Sequence, residues 1–336
     1  MTSIDLSAIR VERWTTASRL AAVACLIAII GLAIAPAFTG AGAVDRMTAL
    51  FIYIILAAMW NALAGYGGLV SIGQQLFFGL GAYFTIRIAD FGINPFLSMG
   101  LAAIVTTIIA YPVGRFMLKL KGGEFAIGMW VLAELVHLFV NLDTLIQGET
   151  GTSLISLNAY DIDVRRNVIY WLALVTMTGF LTGLFLLLRS KTGAAIQAIR
   201  DSEEAAASLG VDAIRTKRLL FVLAAGGIAA AGALWLASAV SFQPKTYFSV
   251  QWTAYMIFMV LVGGIGRFEG AVLGAIIFFL IETWFATAGV WYLIGLGAVA
   301  LVFSLALPKG LWGYLSERTG LRLLPVGYLV RMPDKS

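Results

Sequence analysis

Long apolar runs separated by short polar breaks set the pattern of the chain. The runs cover residues 20–38, 47–64, 71–89, 96–118, 125–140, 168–188, 219–240, 250–262, 270–288 and 290–307. A helix needs about 20 mostly apolar residues to cross a bilayer core, so each run predicts a helix. Several runs are shorter than that, which predicts tilted, broken or re-entrant helices among them. The expected fold class is an all-α polytopic membrane protein, with about ten transmembrane or partly spanning helices. Small residues at 40–43 follow the first run as they would follow a signal peptide. Its apolar core exceeds a usual signal segment, so it is read as a retained helix.

One interruption stands out, at residues 189–218. It carries Arg189, Lys191, Arg200, Arg215, Lys217 and Arg218 with Asp201, Glu203, Glu204 and Asp212. At roughly 2.5 kcal/mol or more per charge at mid-bilayer, placing them all there would cost about 25 kcal/mol, so the segment belongs in water. Lys191-Thr192-Gly193 reads as a turn. Residues 194–209 are Ala-rich, with Ile196, Ile199, Ala206 and Leu209 at roughly helical spacing, and Gly210 predicts the helix end. Such an amphipathic helix is either a solvated connector or an element that docks in a soluble partner's groove.

Composition agrees with a membrane protein: 60% of the 336 residues are hydrophobic and 12% charged, with mean hydropathy +0.92. The net charge of +5 becomes informative once the bases are placed. Ten spans with both termini in the cytoplasm leave only Arg46, Arg87, Arg165, Arg166 and Lys245 outside. That asymmetry follows the positive-inside rule and puts 189–218 in the cytoplasm. The expected layout is a cytoplasmic segment at 1–19, a membrane domain at 20–307 and a cytoplasmic tail at 308–336. The largest outer segment, 141–167, carries Asp143, Glu149, Asp161 and Asp163 and is long enough for a cap or docking surface. A single cysteine, Cys25, excludes an intrachain disulfide and a thiolate metal cluster. No G-x-x-x-x-G-K-[ST] loop is present, so ATP is not bound in the P-loop manner.

Three further stretches carry candidate chemistry. Residues 61–84 hold Gly65, Gly67, Gly68, Gly73, Gly79 and Gly81 alongside Asn61, Ser71, Gln74, Gln75 and Phe77. Small residues permit close helix packing, and glycine-broken helices free backbone groups where a solute path needs them; both readings stand. The two glutamines are expected to face protein or water. In 119–138, Glu134 lies about 15 Å beyond Glu124 at 1.5 Å per residue, near the expected midplane. An ionisable group there is expensive and points by default to function. His137, the single histidine, follows at i+3. An interhelical hydrogen-bonded pair, an amino-group site or a proton relay would each account for them, whereas two ligands are too few for a metal. In 263–282, Gly263, Gly264, Gly266 and Gly270 surround Arg267 and Glu269, predicting a tight inner turn. Gly270 and Gly274 form a small-residue helix face beyond it. This loosely echoes 67–84, a hint of duplication. Glu282 is a second intramembrane acid.

In order, these stretches resemble the LivM-type permeases of branched-chain amino acid ABC importers. The likeness runs over 61–310. It includes N-x-L-x-G-Y-x-G-x-x-S-x-G at 61–73, F-x-G-x-G-A-Y at 77–83, Leu120-Lys121-Gly122 with Ala126-Ile127, and Glu134. It continues with R-S-x-x-G-x-A-x-x-A-I-R-D at 189–201, the EAA-type signature Glu204-Ala205-Ala206 followed by Gly210, Gly263-Gly264-Ile265-Gly266, and L-P-K-G-L-W at 307–312. Two positions depart from the pattern: Gln74-Gln75 stand where the family often has His-Ala, and Val222-Leu223 where the wider EAA motif has Leu-Pro.

The resemblance implies a non-enzymatic subunit of a bacterial inner-membrane complex. Its partners would be a homologous sister permease, two cytoplasmic ATPase subunits holding ATP and Mg, and a periplasmic solute-binding protein. This chain itself would bind no cofactor, metal or nucleic acid. The resemblance assigns ATPase coupling to Arg200, Asp201, Glu204, Ala205, Ala206 and Gly210. It assigns a solute path to Asn61, Gly67, Gly68, Ser71, Gln74, Gln75, Phe77, Glu134 and His137. The alternatives are a urea or short-amide ABC permease and a gradient-driven transporter using Glu134, His137 or Glu282. A membrane enzyme is disfavoured, since one histidine and scattered acids make no catalytic cluster.

Overall fold

A computed structural model describes residues 10–12, 15–321, 323–327 and 329–331. Arg13, Arg322 and Lys335, placed inside by the charge pattern, lie outside the described residues. The structure is 81% helical. The helices are α1 (Thr16–Ile34), α2 (Ala41–Asn61), α3 (Gln75–Asp90), α4 (Pro95–Met117), α5 (Gly122–Asn141), α6 (Ile162–Arg189), α7 (Lys191–Asp201) and α8 (Glu203–Ser208). They continue as α9 (Ala213–Ala239), α10 (Pro244–Tyr247), α11 (Val250–Gly263), α12 (Phe268–Phe285), α13 (Val290–Ala306) and α14 (Gly310–Thr319). Among the described residues, strands are confined to two short antiparallel pairs. β1 (Arg10–Glu12) pairs with β4 (Leu329–Arg331), joining the two terminal segments, and β2 (Thr152–Ser153) pairs with β3 (Ser241–Phe242).

Among the described residues, nine helical stretches are long and apolar enough to cross a membrane. The expected helix at 71–89 begins only at Gln75 and has 16 residues, about 24 Å at 1.5 Å per residue. That falls short of a bilayer core of about 30 Å. The polar segment is also shorter than the sequence indicates. Helix α6 continues through Arg189, and α9 starts at Ala213, where Asp212 caps it by accepting from Arg215 N at 3.0 Å. Arg215, Lys217 and Arg218 are therefore in the first turns of α9. The expected single helix at 194–209 is two. Lys191-Thr192-Gly193 is the first turn of α7, capped by Ser190, not a free turn. Ser202 breaks the helix with an extended backbone and caps α8 through Ala205 N. A serine that can bond its own following backbone competes with helix continuation, and here it wins.

The core is built around α2. From Phe51 to Asn61 every residue is buried, and a helix apolar on all sides must be enclosed by others. It is surrounded by α6, α9, α11 and α12. A second packing unit joins α3, α4 and α9. There a Cβ on Gly81 would lie 2.0 Å from Ala229 O, and one on Gly232 2.0 Å from Phe78 O, so small residues set the helix spacing.

The bundle has two distinct ends. At one, α7, α8, the 263–267 turn and α14 come together. At the other, residues 142–161 form a cap with α10 and β3. Asp143 pins this cap to α3: Arg87 Nε donates to its Oδ2 at 2.7 Å and Arg87 Nη2 to its Oδ1 at 2.6 Å. Tyr83 Oη and Leu145 N donate at 2.7 and 3.0 Å. Burial alone would raise the Asp143 pKa, but these donors and the Arg87 charge outweigh it and hold it below the ordinary carboxylate value. The contribution to stability is therefore complete at neutral pH and is lost as pH falls through the depressed folded pKa. Asp143→Asn is expected to lower stability at pH 7 by about 1–3 kcal/mol. It should also flatten the loss seen on acidification, as read by thermal unfolding in detergent at a series of pH values.

Candidate functional site

The continuation of α2 determines the local geometry at the loop end. Residues Ala62–Tyr66 form a π-helix, a widened turn common at functional sites. Asn61 lies at its start, buried, and bonds twice across to the turn before α12. Its Oδ1 accepts from Gly266 N at 2.8 Å and its Nδ2 donates to Arg267 O at 2.9 Å. The backbones approach so closely that a Cβ on Gly65 would lie 2.4 Å from Gly266 N. Arg200, in the last turn of α7, donates from Nη1 to Gly65 O at 2.9 Å. A guanidinium at a helix C-terminus meets the negative end of the helix dipole. Its Nε and Nη2 both reach Asp201 Oδ1, at 3.0 and 2.9 Å. One point thus ties the polar segment, the end of α2 and the 263–267 turn together.

The polar segment presents a small exposed tip. Ile196, Ile199 and Ala206 are buried, as their spacing predicts, and Glu203 pairs with Lys217 at 2.7 Å. Leu209 does not follow them: it is 83% exposed. Glu204, Ala205 and Gly210 are exposed beside it. Of the residues assigned to coupling, Arg200 is turned inward on α2 and Ala206 is packed inside the chain.

From Gly67 the chain turns back against α5. A Cβ on Gly73 would lie 2.0 Å from Met129 O, so this irregular segment lies against the middle of a spanning helix. Backbone of this kind is tolerated at membrane depth only where protein or water covers it. Ser71, Gln74 and Gln75 are fully buried. Trp60 Nε1 donates to Ser71 O at 3.0 Å, Gln74 Nε2 to Ser71 Oγ at 2.9 Å, and Thr253 Oγ1 to Gln75 Oε1. Gln74 Oε1 is buried without a partner among the described residues. Phe77 is buried against Phe221.

Glu134 and His137 are brought together, but not as an interhelical pair. His137 is buried, stacked on Phe248, with Nδ1 3.3 Å from Glu134 Oε1 on its own helix. Its Nε2 lies 2.9 Å from Glu149 Oε1 in the cap. Glu149 also accepts from Asn141 Nδ2 and from Lys245 N at 3.0 Å. Burial pushes the Glu149 pKa up, and the Asn141 bond and neighbouring donors more than reverse this, holding it below the ordinary carboxylate value. Glu134 itself has a side chain 58% exposed, on a face shared with Ile127, Trp130, Val131, Leu135, Leu138 and Phe139. Glu282, the other intramembrane acid, is half-buried on α12 and accepts from Tyr53 Oη of α2 at 2.8 Å. Among the described residues, no group of three or more His, Cys, Asp or Glu could hold a metal ion.

The family model for the permease component of branched-chain amino acid transport systems matches residues 42–307. The chain belongs to this family. It is a multi-pass membrane protein and a non-enzymatic component of a transporter. The matched residues run from α2 to α13, so they contain the Asn61–Arg200 junction, the 67–74 segment and the α5 face. Among its relatives is the high-affinity branched-chain amino acid transport system permease protein LivM of Salmonella typhimurium, 26% identical over 85% of this chain and 74% of that one. The Escherichia coli protein of the same name is equally similar, at 26% over the same shares. The probable branched-chain amino acid transport permease protein LivM of Methanocaldococcus jannaschii is 26% identical over 68% of this chain and 70% of its own. No solved structure matches the chain.

Two features of this permease leave little or no trace in the sequence. The bonds of Asn61 to Gly266 and Arg267 have one local signal, a polar residue at the end of an apolar run. The Tyr53–Glu282 bond has none, since its partners are 229 residues apart.

Proposed function

We propose that the chain is the membrane permease of an ATP-driven importer of branched-chain amino acids, working by alternating access. ATP and Mg belong to two separate cytoplasmic ATPase chains. A homologous sister permease and a periplasmic solute-binding protein complete the assembly in a bacterial inner membrane. The loop end of the bundle is cytoplasmic. Both termini lie there, in keeping with the pairing of β1 with β4. The observation that carries this reading is the tip at Glu204, Ala205, Leu209 and Gly210. An 83% exposed leucine on a charged segment is a knob suited to an apolar groove in a soluble partner, and Arg200 links that segment directly to α2.

The solute path runs along the exposed face of α5 and the 67–74 segment. A carboxylate at mid-bilayer costs about 2.5–3.5 kcal/mol facing lipid. Glu134 therefore faces water or the sister permease, and the path lies between the two subunits. Ser71, Gln74 and Gln75, closed off here, are the polar groups available to it when the subunits move apart.

The test replaces Leu209 with Asp in the reconstituted importer. A charge in the groove is expected to abolish co-purification with the ATPase chains and to reduce leucine uptake at least about tenfold. Unchanged association would remove the docking role of this tip. Leucine uptake driven by an ion gradient without nucleotide would instead favour a secondary transporter.

A further inference from the structure

The loop end contains a cavity of about 210 Å³ that neither the path nor the docking tip uses. Tyr66, Gln197, Arg267, Phe268, Glu269, Trp312, Leu324 and Val326 are among its walls. We infer that it is a binding site for a free aliphatic amino acid, which acts there as a brake on the permease. This rests on the transport reading above for the identity of the ligand, but not for the existence of the site.

Four observations define the ligand. First, Tyr66 is 4% exposed and lines the cavity, yet its hydroxyl makes no hydrogen bond among the described residues. A ligand acceptor in the cavity would give that hydroxyl a partner. Second, α12 begins at the cavity with no side-chain cap, so its first N–H groups offer donors to a carboxylate, beside the Arg267 guanidinium, whose Nη2 lies 3.9 Å from Glu317 Oε1. Third, Glu269 spends one oxygen on Leu324 N at 2.7 Å, leaving the other for an ammonium. Fourth, Leu321, Leu324, Pro325 and Val326 supply an apolar wall for a short side chain. Donors, an acceptor carboxylate and an aliphatic surface together match a zwitterion with a branched tail. The volume, below the roughly 300–1,000 Å³ of pockets for drug-sized molecules, suits a small ligand.

The position gives the effect. The walls come from α7 through Gln197, from the π-helix through Tyr66, from the turn before α12, and from the segment after α14. The first three are the parts joined by Arg200 and Asn61, and alternating access must move them relative to one another. A ligand bonded to all of them favours the arrangement in which they are together. Accumulated product on the cytoplasmic side would then slow its own import.

The test uses the full chain, purified from its native membrane with the subunits that accompany it. In proteoliposomes, L-leucine on the cytoplasmic side is expected to lower the initial rate of labelled leucine uptake. Isocaproate and isoamylamine, which each lack one of the two charged groups, should have little effect. Tyr66→Phe, which removes one oxygen and keeps the ring, should raise the half-inhibitory leucine concentration about tenfold. Glu269→Gln, which can still accept from Leu324 N, should do the same. Equal inhibition of wild type and both variants overturns the inference, because product is then rebinding in the path itself. If no uptake occurs under any condition, the transport reading has failed. Calorimetry with L-leucine then decides the site: binding weakened by Tyr66→Phe supports it, and absent or unaltered binding overturns it.

Discussion

In the proposed importer, Arg200→Ala is expected to reduce nucleotide-driven uptake by tenfold or more while the chain still inserts and still binds the ATPase chains. The side chain bonds Gly65 O at the end of α2. A charged hydrogen bond of this kind is worth about 1.5–3 kcal/mol, a factor of roughly ten to a hundred or more in an equilibrium. Without it, a motor could still displace α7, but the displacement would no longer pull on the π-helix and, through Asn61, on the turn before α12. ATP hydrolysis should therefore continue while transport falls, and their ratio is the quantity to measure. Arg200→Lys, which retains a donor but loses the fork to Asp201, should restore part of the coupling. A proportional fall in both activities would mean that Arg200 only stabilises the fold. Asn61→Ala, which breaks the next link, should give the same uncoupled phenotype.

Much of this arrangement is legible in the sequence because it follows from what a bilayer permits. Apolar runs locate the spans, since a membrane leaves helices few alternatives, though α2, α6 and α9 each begin six residues before the run that predicts them. The charged segment is legible as a folded helical element because Ile196 and Ile199 keep helical spacing and bury as expected. Its interruption at Ser202 is not, because an Ala-rich run has uniformly high helix propensity and the break depends on one serine side chain bonding Ala205 N. The length of the segment is misjudged for a related reason. Arg215, Lys217 and Arg218 look like loop residues by charge, but long basic side chains at a span's end can reach the interface while their backbone remains helical.

The candidate site divides in the same way. Asn61, Gly67, Gly68, Ser71, Gln74 and Gln75 stand out as polar or small groups within apolar runs. Which partner each takes is set by helix crossings between residues some two hundred positions apart, as with Asn61 and Gly266. Local pattern carries no record of those crossings. Glu134 and His137 are legible as a pair at i+3, but the second carboxylate on His137 is not, because Glu149 comes from the cap.

Glu134→Leu is expected to leave the chain at least as stable in a bilayer as before, and to lower uptake about tenfold. The two effects have opposite origins. The side chain is 58% exposed on an otherwise apolar helix face, and its carboxylate is costly there wherever lipid can reach it, by about 2.5–3.5 kcal/mol. Leucine removes that cost. His137 retains Glu149 at 2.9 Å, so the cap keeps its contact with α5. If the face lines the path, the substitution removes the acid that meets the ammonium of a passing amino acid. A lost charged interaction of about 1.4 kcal/mol or more is enough for the tenfold fall. Glu134→Gln separates charge from shape: it should reduce uptake nearly as far if the ammonium is recognised by charge. Unaltered uptake in both variants, together with raised stability, would make this face a packing surface and move the path away from α5. A fall in uptake with unaltered assembly and intact ATP hydrolysis would instead place the acid in contact with the solute.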